Sequence, residues 1–315
     1  MLGKLDQPLW PHRRLNLTTP LSLGLTLLSV IAGVVLYRKG YTYEGATLVY
    51  MLGGVLFAWP YYSACFTWRM TFLIMSCFIP VSIWAQNKAV ESGSWYYRPH
   101  DGYVIWITKD GEGWGNWTRH LWLGNDMPAM EYVFYPLFCL FQVTLFSLYT
   151  HLLPNHWFEQ RHPKLRRVFP VVITFVVAAF VSIYFIFPNP SHITDYLYWL
   201  AGLGYAITLV VYAVSPNYRA YTQSPAFWIW AVGMGGMFMP VWEFFHCCLN
   251  HDWIYDRTKT FPFYLTYRGA GIPLSELLGY LTTATTFQAL MLMLIREFGK
   301  VVIKDYALVP FSRKP

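Results

Sequence analysis

The sequence predicts an all-α, polytopic membrane protein with about eight transmembrane helices in two parallel four-helix repeats. Hydrophobic residues make up 56% of the 315-residue chain and charged residues only 12%, about half the charged share of a typical soluble domain. Eight apolar segments approach the roughly 20 residues that a helix needs to cross the hydrocarbon core of a bilayer. Short motifs also recur in the same order in both halves of the chain.

The apolar segments give the predicted spans. They cover residues 20–37, 46–66, 70–86, 131–153, 168–187, 195–214, 226–250 and 274–295. The corresponding organisation is a cytoplasmic N-terminal segment 1–19, a first repeat 20–153 with an interfacial loop 87–127, a basic cytoplasmic linker 154–167, a second repeat 168–296 and a cytoplasmic C-terminal tail 297–315.

The positive charge predicts the orientation of the chain in the membrane. Its net charge is +7, and Lys and Arg are enriched in the cytoplasmic loops of membrane proteins. Arg161, Lys164, Arg166 and Arg167 make the linker the clearest cytoplasmic marker. We therefore expect a multi-pass protein of the inner membrane with both termini in the cytoplasm, and no nucleic-acid partner.

A motif set occurs twice: a proline in the third helix, a Trp-x-Tyr triplet, a loop, a Pro-x-x-Glu element and a tyrosine four residues after the glutamate. The residues are Pro80, Trp95, Tyr97, Pro128, Glu131 and Tyr135, then Pro240, Trp253, Tyr255, Pro273, Glu276 and Tyr280. Proline is tolerated in the first turn of a helix, which would place each glutamate near the positive end of the helix dipole. Parallel halves would put both glutamates at one membrane face, either in a shared site or as separate helix caps.

This order of motifs resembles the integral-membrane lycopene cyclase domain family, the non-flavin type of bacteria, archaea and fungi. The resemblance is strongest over 82–153, through WAQNKAVESGSWYYRP and LWLGNDMPAMEYVFYPLFCLF. A second copy would cover 238–294, through PVWEFFHCCLNHDWIYD and GIPLSELLGYLTT. The matched segments make up somewhat under half of the chain.

The resemblance implies an enzyme of carotenoid biosynthesis that works as an intramolecular lyase or isomerase, with no cofactor. A carboxylic acid protonates a terminal double bond of lycopene, the chain closes through a carbocation, and a base removes a proton. This sequence departs from the family where a second acid is usual. Met130 and Ser275 stand in the Pro-x-x-Glu elements, and Ala85 follows Trp84. The chain is therefore interpreted as a divergent member that acts on a carotenoid or a related isoprenoid.

The resemblance and the local sequence together give the candidate site residues. Glu131 and Glu276 would be proton donor and acceptor, assisted by Glu243 and His246. The substrate-binding candidates are Trp84, Trp95, Tyr97, Tyr135, Trp253, Tyr255 and Tyr280, with Pro128 and Pro273 as motif positions.

Glu243 and His246 are singled out by their place in an apolar segment. Acids at membrane depth usually face a cavity or the protein interior, and a residue at i+3 shares a helix face. The two could relay a proton or simply hold helices together. Only one Glu-x-x-His pair occurs, whereas a di-iron bundle needs two, so no metal is expected.

One alternative function is a non-catalytic carotenoid- or lipid-binding membrane subunit on the same scaffold, and a transporter with parallel repeats is a weaker third. Membrane lipid is an expected partner. Association with other carotenoid enzymes and a homo-oligomer both stay open. Aromatic residues reach 20% of the chain. Some would form interfacial belts, and those near Glu131 and Glu276 would stabilise a carbocation through their ring faces.

Overall fold

The computed structural model describes residues 18–64, 68–97, 106–107, 127–153, 157, 162, 164–186, 196–260, 263–282, 284–286 and 288. Helices make up 81% of the structure, which confirms the all-α prediction at the level of fold class. The N-terminal segment 1–17, the C-terminal tail and most of the loop 98–126 lie outside the described residues.

The first part of the chain is an antiparallel pair of helical segments. Helix α1 spans Thr18–Arg38. It is followed by α2 (Thr42–Thr47), a π-helical stretch (Leu48–Leu52), α3 (Gly53–Ala58) and a 3-10 helix (Trp59–Ala64). The two segments approach so closely at Gly33 and Gly45 that a Cβ on either glycine would lie 2.6–2.7 Å from the other's carbonyl oxygen. The glycines therefore set the packing distance of α1 against α2.

A long helix and a short strand carry the first copy of the motif. Helix α4 (Trp68–Ser92) contains Pro80 and ends just before strand β1 (Trp95–Tyr97). Strands β2 (Trp106–Ile107) and β3 (Met127–Pro128) pair with each other, and helix α5 (Met130–Leu152) begins two residues after Pro128.

The second copy has the same order of elements after two further helices. These helices are α6 (Leu165–Ile186) and α7 (Tyr196–Val214). The chain from 216 to 250 is then α8 (Pro216–Tyr221), α9 (Pro225–Trp230), a π-helical stretch (Ala231–Phe238), α10 (Met239–Glu243) and a second π-helical stretch (Phe244–Asn250). Strands β4 (Trp253–Tyr255), β5 (Tyr264–Tyr267) and β6 (Ala270–Pro273) follow, and helix α11 covers 274–282.

The starts of α8 and α9 follow directly from the sequence. Ser215 accepts a hydrogen bond from the backbone N–H of Tyr218 at 3.2 Å, and Ser224 accepts one from Phe227 at 3.3 Å. In each case a proline occupies the first helical turn, where its missing N–H costs nothing.

Three two-stranded antiparallel sheets occur among the described residues, and the sequence analysis predicted none of them. Strands β2 and β3 pair next to α5, and β5 and β6 pair next to α11. Strands β1 and β4 pair with each other and join the two copies of the motif. A proline-containing helix, a short strand, a strand pair and a helix thus follow one another in the same order in both segments.

The expected position of the two motif prolines was wrong. Pro128 lies in β3 opposite Trp106, and Pro273 ends β6 opposite Tyr264, so neither is in the first turn of a helix. A two-stranded sheet leaves one edge of each strand unpaired, and proline is accepted there because it needs no partner for an N–H. Glu131 nevertheless lies in the first turn of α5, as expected.

The outer surface of the molecule is strongly apolar. Two helical segments within the described residues, Pro20–Arg38 and Met130–Tyr149, are long and apolar enough to cross a membrane, and Ala201–Val214 is a shorter apolar helix. Leu21, Leu27 and Leu28 on α1 are each at least 60% exposed, and large exposed apolar patches mark contact surfaces for membranes or proteins. Association with a membrane is thus supported, whereas the eight-span topology and its orientation stay predictions.

Candidate functional site

A cavity of about 150 Å³ is lined by residues from both copies of the motif. Nine of the residues predicted from the sequence line it: Trp95, Tyr97, Glu131, Tyr135, Glu243, Trp253, Tyr255, Glu276 and Tyr280. The rest of the wall consists of Tyr43, Phe78, Ser82, Ala85, Gln86, Phe134, Phe138, Met239 and Trp242. Carboxyl and tyrosine groups of two distant segments therefore meet in one aromatic pocket.

The pairing of β1 with β4 brings the two Trp-x-Tyr triplets together. The register is symmetric: Trp95 lies opposite Tyr255, Tyr96 opposite Ile254, and Tyr97 opposite Trp253. Alternate residues of a strand point to the same side, so the Trp and Tyr of each strand are buried against the cavity, whereas Tyr96 is 50% exposed. The opposed rings also touch, with centroids 5.7 Å apart for Trp95 and Tyr255 and 6.2 Å for Tyr97 and Trp253.

The Glu243 carboxyl group is buried and receives three hydrogen bonds. The indole N–H of Trp253 donates to Oε1 at 2.6 Å, and the Tyr255 hydroxyl donates to the same oxygen at 2.7 Å. The Tyr280 hydroxyl donates to Oε2 at 2.5 Å. Burial, followed by the nearby Glu243, raises the pKa of Tyr255 far above its usual range, so this residue is held as a neutral phenol that can donate. The network can stabilise a carboxylate in an otherwise apolar pocket.

A corresponding network surrounds Glu131 in the first copy. The buried Glu131 carboxyl group accepts hydrogen bonds from the hydroxyls of Tyr43 and Tyr97. The Gln86 amide nitrogen donates to the Tyr97 oxygen, and the Tyr135 hydroxyl donates to the Gln86 carbonyl at 2.7 Å. The hydrogen bonds therefore form a chain with one direction of donation. Tyr135 donates to Gln86, Gln86 donates to Tyr97, and Tyr97 donates to Glu131.

Glu276 is the third carboxyl group in the cavity. It lies one helical turn before Tyr280 on α11, and both side chains line the cavity. Both Pro-x-x-Glu glutamates and Glu243 thus border one space, as the sequence predicted for a shared site.

Glu243 and His246 interact electrostatically, but no hydrogen bond is found between them among the described residues. His246 Nδ1 lies 2.5 Å from Asp252 Oδ2, and the Thr42 hydroxyl donates to the other oxygen of Asp252. Residues three apart share a face in an α-helix. His246 lies in the π-helical stretch Phe244–Asn250, where each turn contains more residues, so its side chain points in a different direction from the one expected. The histidine is fully buried and stacks on Trp253 with a centroid separation of 4.9 Å. It therefore lies behind the cavity wall rather than in it.

Three other predicted positions are also outside the cavity. Trp84 is 45% exposed on α4, because Ala85 and Gln86 take the positions that face the cavity. Pro128 and Pro273 end the strands that lead into α5 and α11. Their role in the structure is to position the following helix starts.

Sequence reasoning missed Tyr43 and Trp242, whose rings form much of the apolar wall. Tyr43 comes from α2 and makes edge-on contacts with His246 and Trp253 at 5.2 and 5.6 Å. Trp242 stacks on Phe134 with centroids 5.8 Å apart and an angle of 21°. No motif marks Tyr43, and Trp242 lies directly before Glu243 without belonging to either repeated motif.

No family model, curated protein or solved structure matches this chain. Within the described residues, no cluster of three or more His, Cys, Asp or Glu side chains has the arrangement of a metal site. The groups that the cavity offers for chemistry are three carboxyl groups, tyrosine and indole hydrogen-bond donors, and stacked aromatic rings.

Proposed function

We propose that the chain is a multi-pass membrane enzyme, similar to lycopene cyclases, that rearranges the end group of a carotenoid or related isoprenoid without a cofactor. One observation carries the proposal. Glu131, Glu243 and Glu276, which come from three different helices, border a single buried cavity whose remaining wall is largely aromatic.

Such a site has the groups that an acid/base isomerisation needs. A carboxylic acid adds a proton to a terminal double bond, a new carbon–carbon bond closes the ring, and a carboxylate removes a proton from a neighbouring carbon. The proton count and the oxidation level are unchanged, so the reaction consumes no oxidant or reductant. Glu131 and Glu276 are the proposed donor and acceptor, assisted by Glu243.

The aromatic wall suits the cationic intermediate. A carbocation in an apolar pocket is attracted to ring faces by about 0.5–2 kcal/mol per ring, and rings do not quench it as a nucleophile would. Trp242, Phe134 and Phe138 form a stack with centroid separations of 5.8 and 5.6 Å beside Glu131. This stack is the proposed surface for the polyene end.

The cavity volume indicates how much of a substrate enters. A cavity of about 150 Å³ is comparable to one that holds a single benzene ring. It is therefore sized for one end of a long polyene, while the remainder would lie along the apolar exterior in the lipid. The proposed setting is the inner membrane, with eight spans and both termini in the cytoplasm. The apolar helices and the exposed leucines of α1 support the membrane association, and the basic linker supports the proposed orientation.

The test is expression of the full chain in a host that accumulates lycopene, followed by pigment analysis. Cyclised carotenoid is expected with the wild-type chain, and little or none with Glu131→Gln or Glu276→Gln. The matched control is Glu91→Gln, because Glu91 is an exposed carboxylate on α4 that pairs with Lys88. Unchanged lycopene alongside folded wild-type protein would refute lycopene cyclisation. Lycopene that co-purifies unchanged would favour the non-catalytic binding subunit.

A further inference from the structure

Two polar groups of residues that line the cavity from the first copy of the motif have no hydrogen-bond partner. Ser82 lines the cavity from α4 and is 8% exposed, and its hydroxyl makes no hydrogen bond within the described residues. The indole N–H of Trp95, which also lines the cavity, is buried and unpartnered in the same part of the chain. Buried polar groups in folded proteins are nearly always hydrogen-bonded. Both groups are therefore suited to a molecule that enters the cavity.

The two groups belong to one side of the cavity. Ser82 precedes Gln86 by one turn of α4, so the two share a helix face. Gln86 is hydrogen-bonded to Tyr97 on β1, and Trp95 lies two residues before Tyr97 on the same side of that strand. One hydrogen bond thus joins the helix face to the strand face, and both faces line the cavity.

The second copy of the motif shows what completes such an arrangement. There, Glu243 Oε1 accepts the indole N–H of Trp253 at 2.6 Å. Met239 lies one turn before Glu243 on α10, the place that Ser82 holds in the first copy, and it also lines the cavity. The second copy therefore supplies an oxygen for its strand tryptophan and has an apolar side chain one turn earlier. In the first copy the oxygen is missing, and a hydroxyl stands at the earlier position.

We propose that Ser82 and Trp95 form a subsite for a neutral oxygen atom of the substrate, so that the preferred substrate is an isoprenoid alcohol or carbonyl compound rather than a hydrocarbon. The inference rests on the proposed function, because it requires an isoprenoid end to enter the cavity. An indole N–H only donates, whereas a serine hydroxyl donates or accepts, so an alcohol or carbonyl oxygen fits both groups. Three carboxyl groups border the cavity, and its wall within the described residues contains no Lys or Arg. A phosphate or carboxylate is therefore disfavoured.

The subsite predicts a preference that binding alone can reveal. A hydrocarbon end leaves both protein groups without a partner, whereas an oxygen-bearing end satisfies them. One net hydrogen bond corresponds to an affinity change of about two- to tenfold, so two give an expected preference of about tenfold or more. Water is the competing occupant. If a water molecule stays in the subsite when a hydrocarbon binds, the preference disappears.

Ligand titration of the purified full chain in detergent tests the subsite without turnover. Geranylgeraniol and the hydrocarbon that lacks its oxygen are titrated separately, and tryptophan fluorescence reports binding. The ratio of their dissociation constants is compared between chains, because partition into detergent then cancels. Ser82→Ala and Trp95→Phe are each expected to lower the wild-type ratio by about threefold or more. Ser92→Ala should keep it, because Ser92 lies on the same helix outside the cavity wall.

The outcomes separate the subsite from the proposed function. Equal wild-type affinities for the two ligands would overturn the subsite and leave the proposed function standing. A preference for the alcohol that survives either Ser82→Ala or Trp95→Phe would also overturn it. Binding of neither ligand would overturn the subsite and the proposed function together. A preference that both variants lose, with no cyclised product in the lycopene-accumulating host, would support the subsite and refute only the proposed catalysis.

Discussion

Gln86 and Glu243 hold equivalent places in the two hydrogen-bond networks of the cavity. Each is bonded to the tyrosine of a Trp-x-Tyr strand and to the tyrosine that follows a Pro-x-x-Glu glutamate by four residues. The two copies thus share one geometry but differ in chemistry, because an amide occupies the first position and a carboxyl group the second. A divergent repeat of this kind can keep a symmetric pocket and still have one side that donates a proton and another that accepts one.

The first prediction concerns Glu243. Glu243→Gln keeps the size of the side chain but removes its ability to take up a proton. Loss of a positioned acid/base group typically lowers the rate about 10²–10⁴-fold, so product in the lycopene-accumulating host should fall to near the detection limit. The control Glu91→Gln should retain the wild-type yield. A Glu243→Gln chain that stays within a few-fold of wild type would show that Glu243 does not take part in the chemistry.

The second prediction uses the two strand tryptophans. Trp253 donates to Glu243 at 2.6 Å, whereas the indole nitrogen of Trp95 has no hydrogen-bond partner within the described residues. Trp253→Phe and Trp95→Phe remove similar ring area, but only the first removes a hydrogen bond to a carboxylate. Such bonds contribute about 1.5–3 kcal/mol. We expect Trp253→Phe to lower the free energy of unfolding in detergent by about that much more than Trp95→Phe. Equal losses would argue that the Trp253 bond adds nothing to stability.

The third prediction concerns Asp252, which the sequence analysis did not identify. It holds His246 through a 2.5 Å contact behind the cavity wall, and His246 in turn stacks on Trp253. Asp252→Asn should lower thermal stability because a buried charged acceptor becomes a neutral amide, whereas Asp256→Asn, in the exposed turn after β4, should have a much smaller effect. Because His246 does not line the cavity, the Asp252→Asn chain that remains folded should keep more activity than Glu243→Gln. The reverse order of activities would place Asp252 in the chemistry itself.

Local sequence features predicted half of the residues that line the cavity, and a change of helix type accounts for the failure to identify Gln86. The Trp-x-Tyr and Pro-x-x-Glu motifs, with the tyrosine four residues after each glutamate, located eight lining residues because strands and helix starts preserve such spacing, and the place of Glu243 in an apolar segment located the ninth. Distance from the motif proline does not relate Gln86 to Glu243, because Gln86 follows Pro80 by six residues whereas Glu243 follows Pro240 by three. Gln86 lies nine residues before Trp95, and Glu243 lies ten residues before Trp253, so the strand tryptophans relate the two more closely. The π-helical stretches next to Glu243 shift the helical register there.

Other features depend on long-range contacts, which motif spacing does not encode. The pairing of β1 with β4 joins segments about 160 residues apart, and Tyr43 reaches Glu131 from α2. The helical class followed from composition, because an apolar chain with little charge buries its backbone groups most readily as helices. The number of spans depends on which helices contact lipid, and composition does not determine this. The eight spans therefore stay a prediction.

The last prediction tests the close contact of α1 with α2. A Cβ on Gly33 would lie 2.6 Å from the Gly45 carbonyl oxygen and 2.7 Å from a Val49 methyl carbon, whereas a Cβ on Gly24 has no neighbour within 4 Å. Gly33→Ala should therefore push the helices apart and destabilise the fold by about 1–3 kcal/mol. Gly24→Ala, on the same helix, should be neutral or stabilising by up to about 1 kcal/mol, because alanine has the higher helix propensity. Thermal unfolding of both variants in detergent gives the comparison. A Gly33→Ala chain as stable as Gly24→Ala would mean that α1 and α2 do not pack at this distance, and Tyr43 would then lose its fixed position above Glu131.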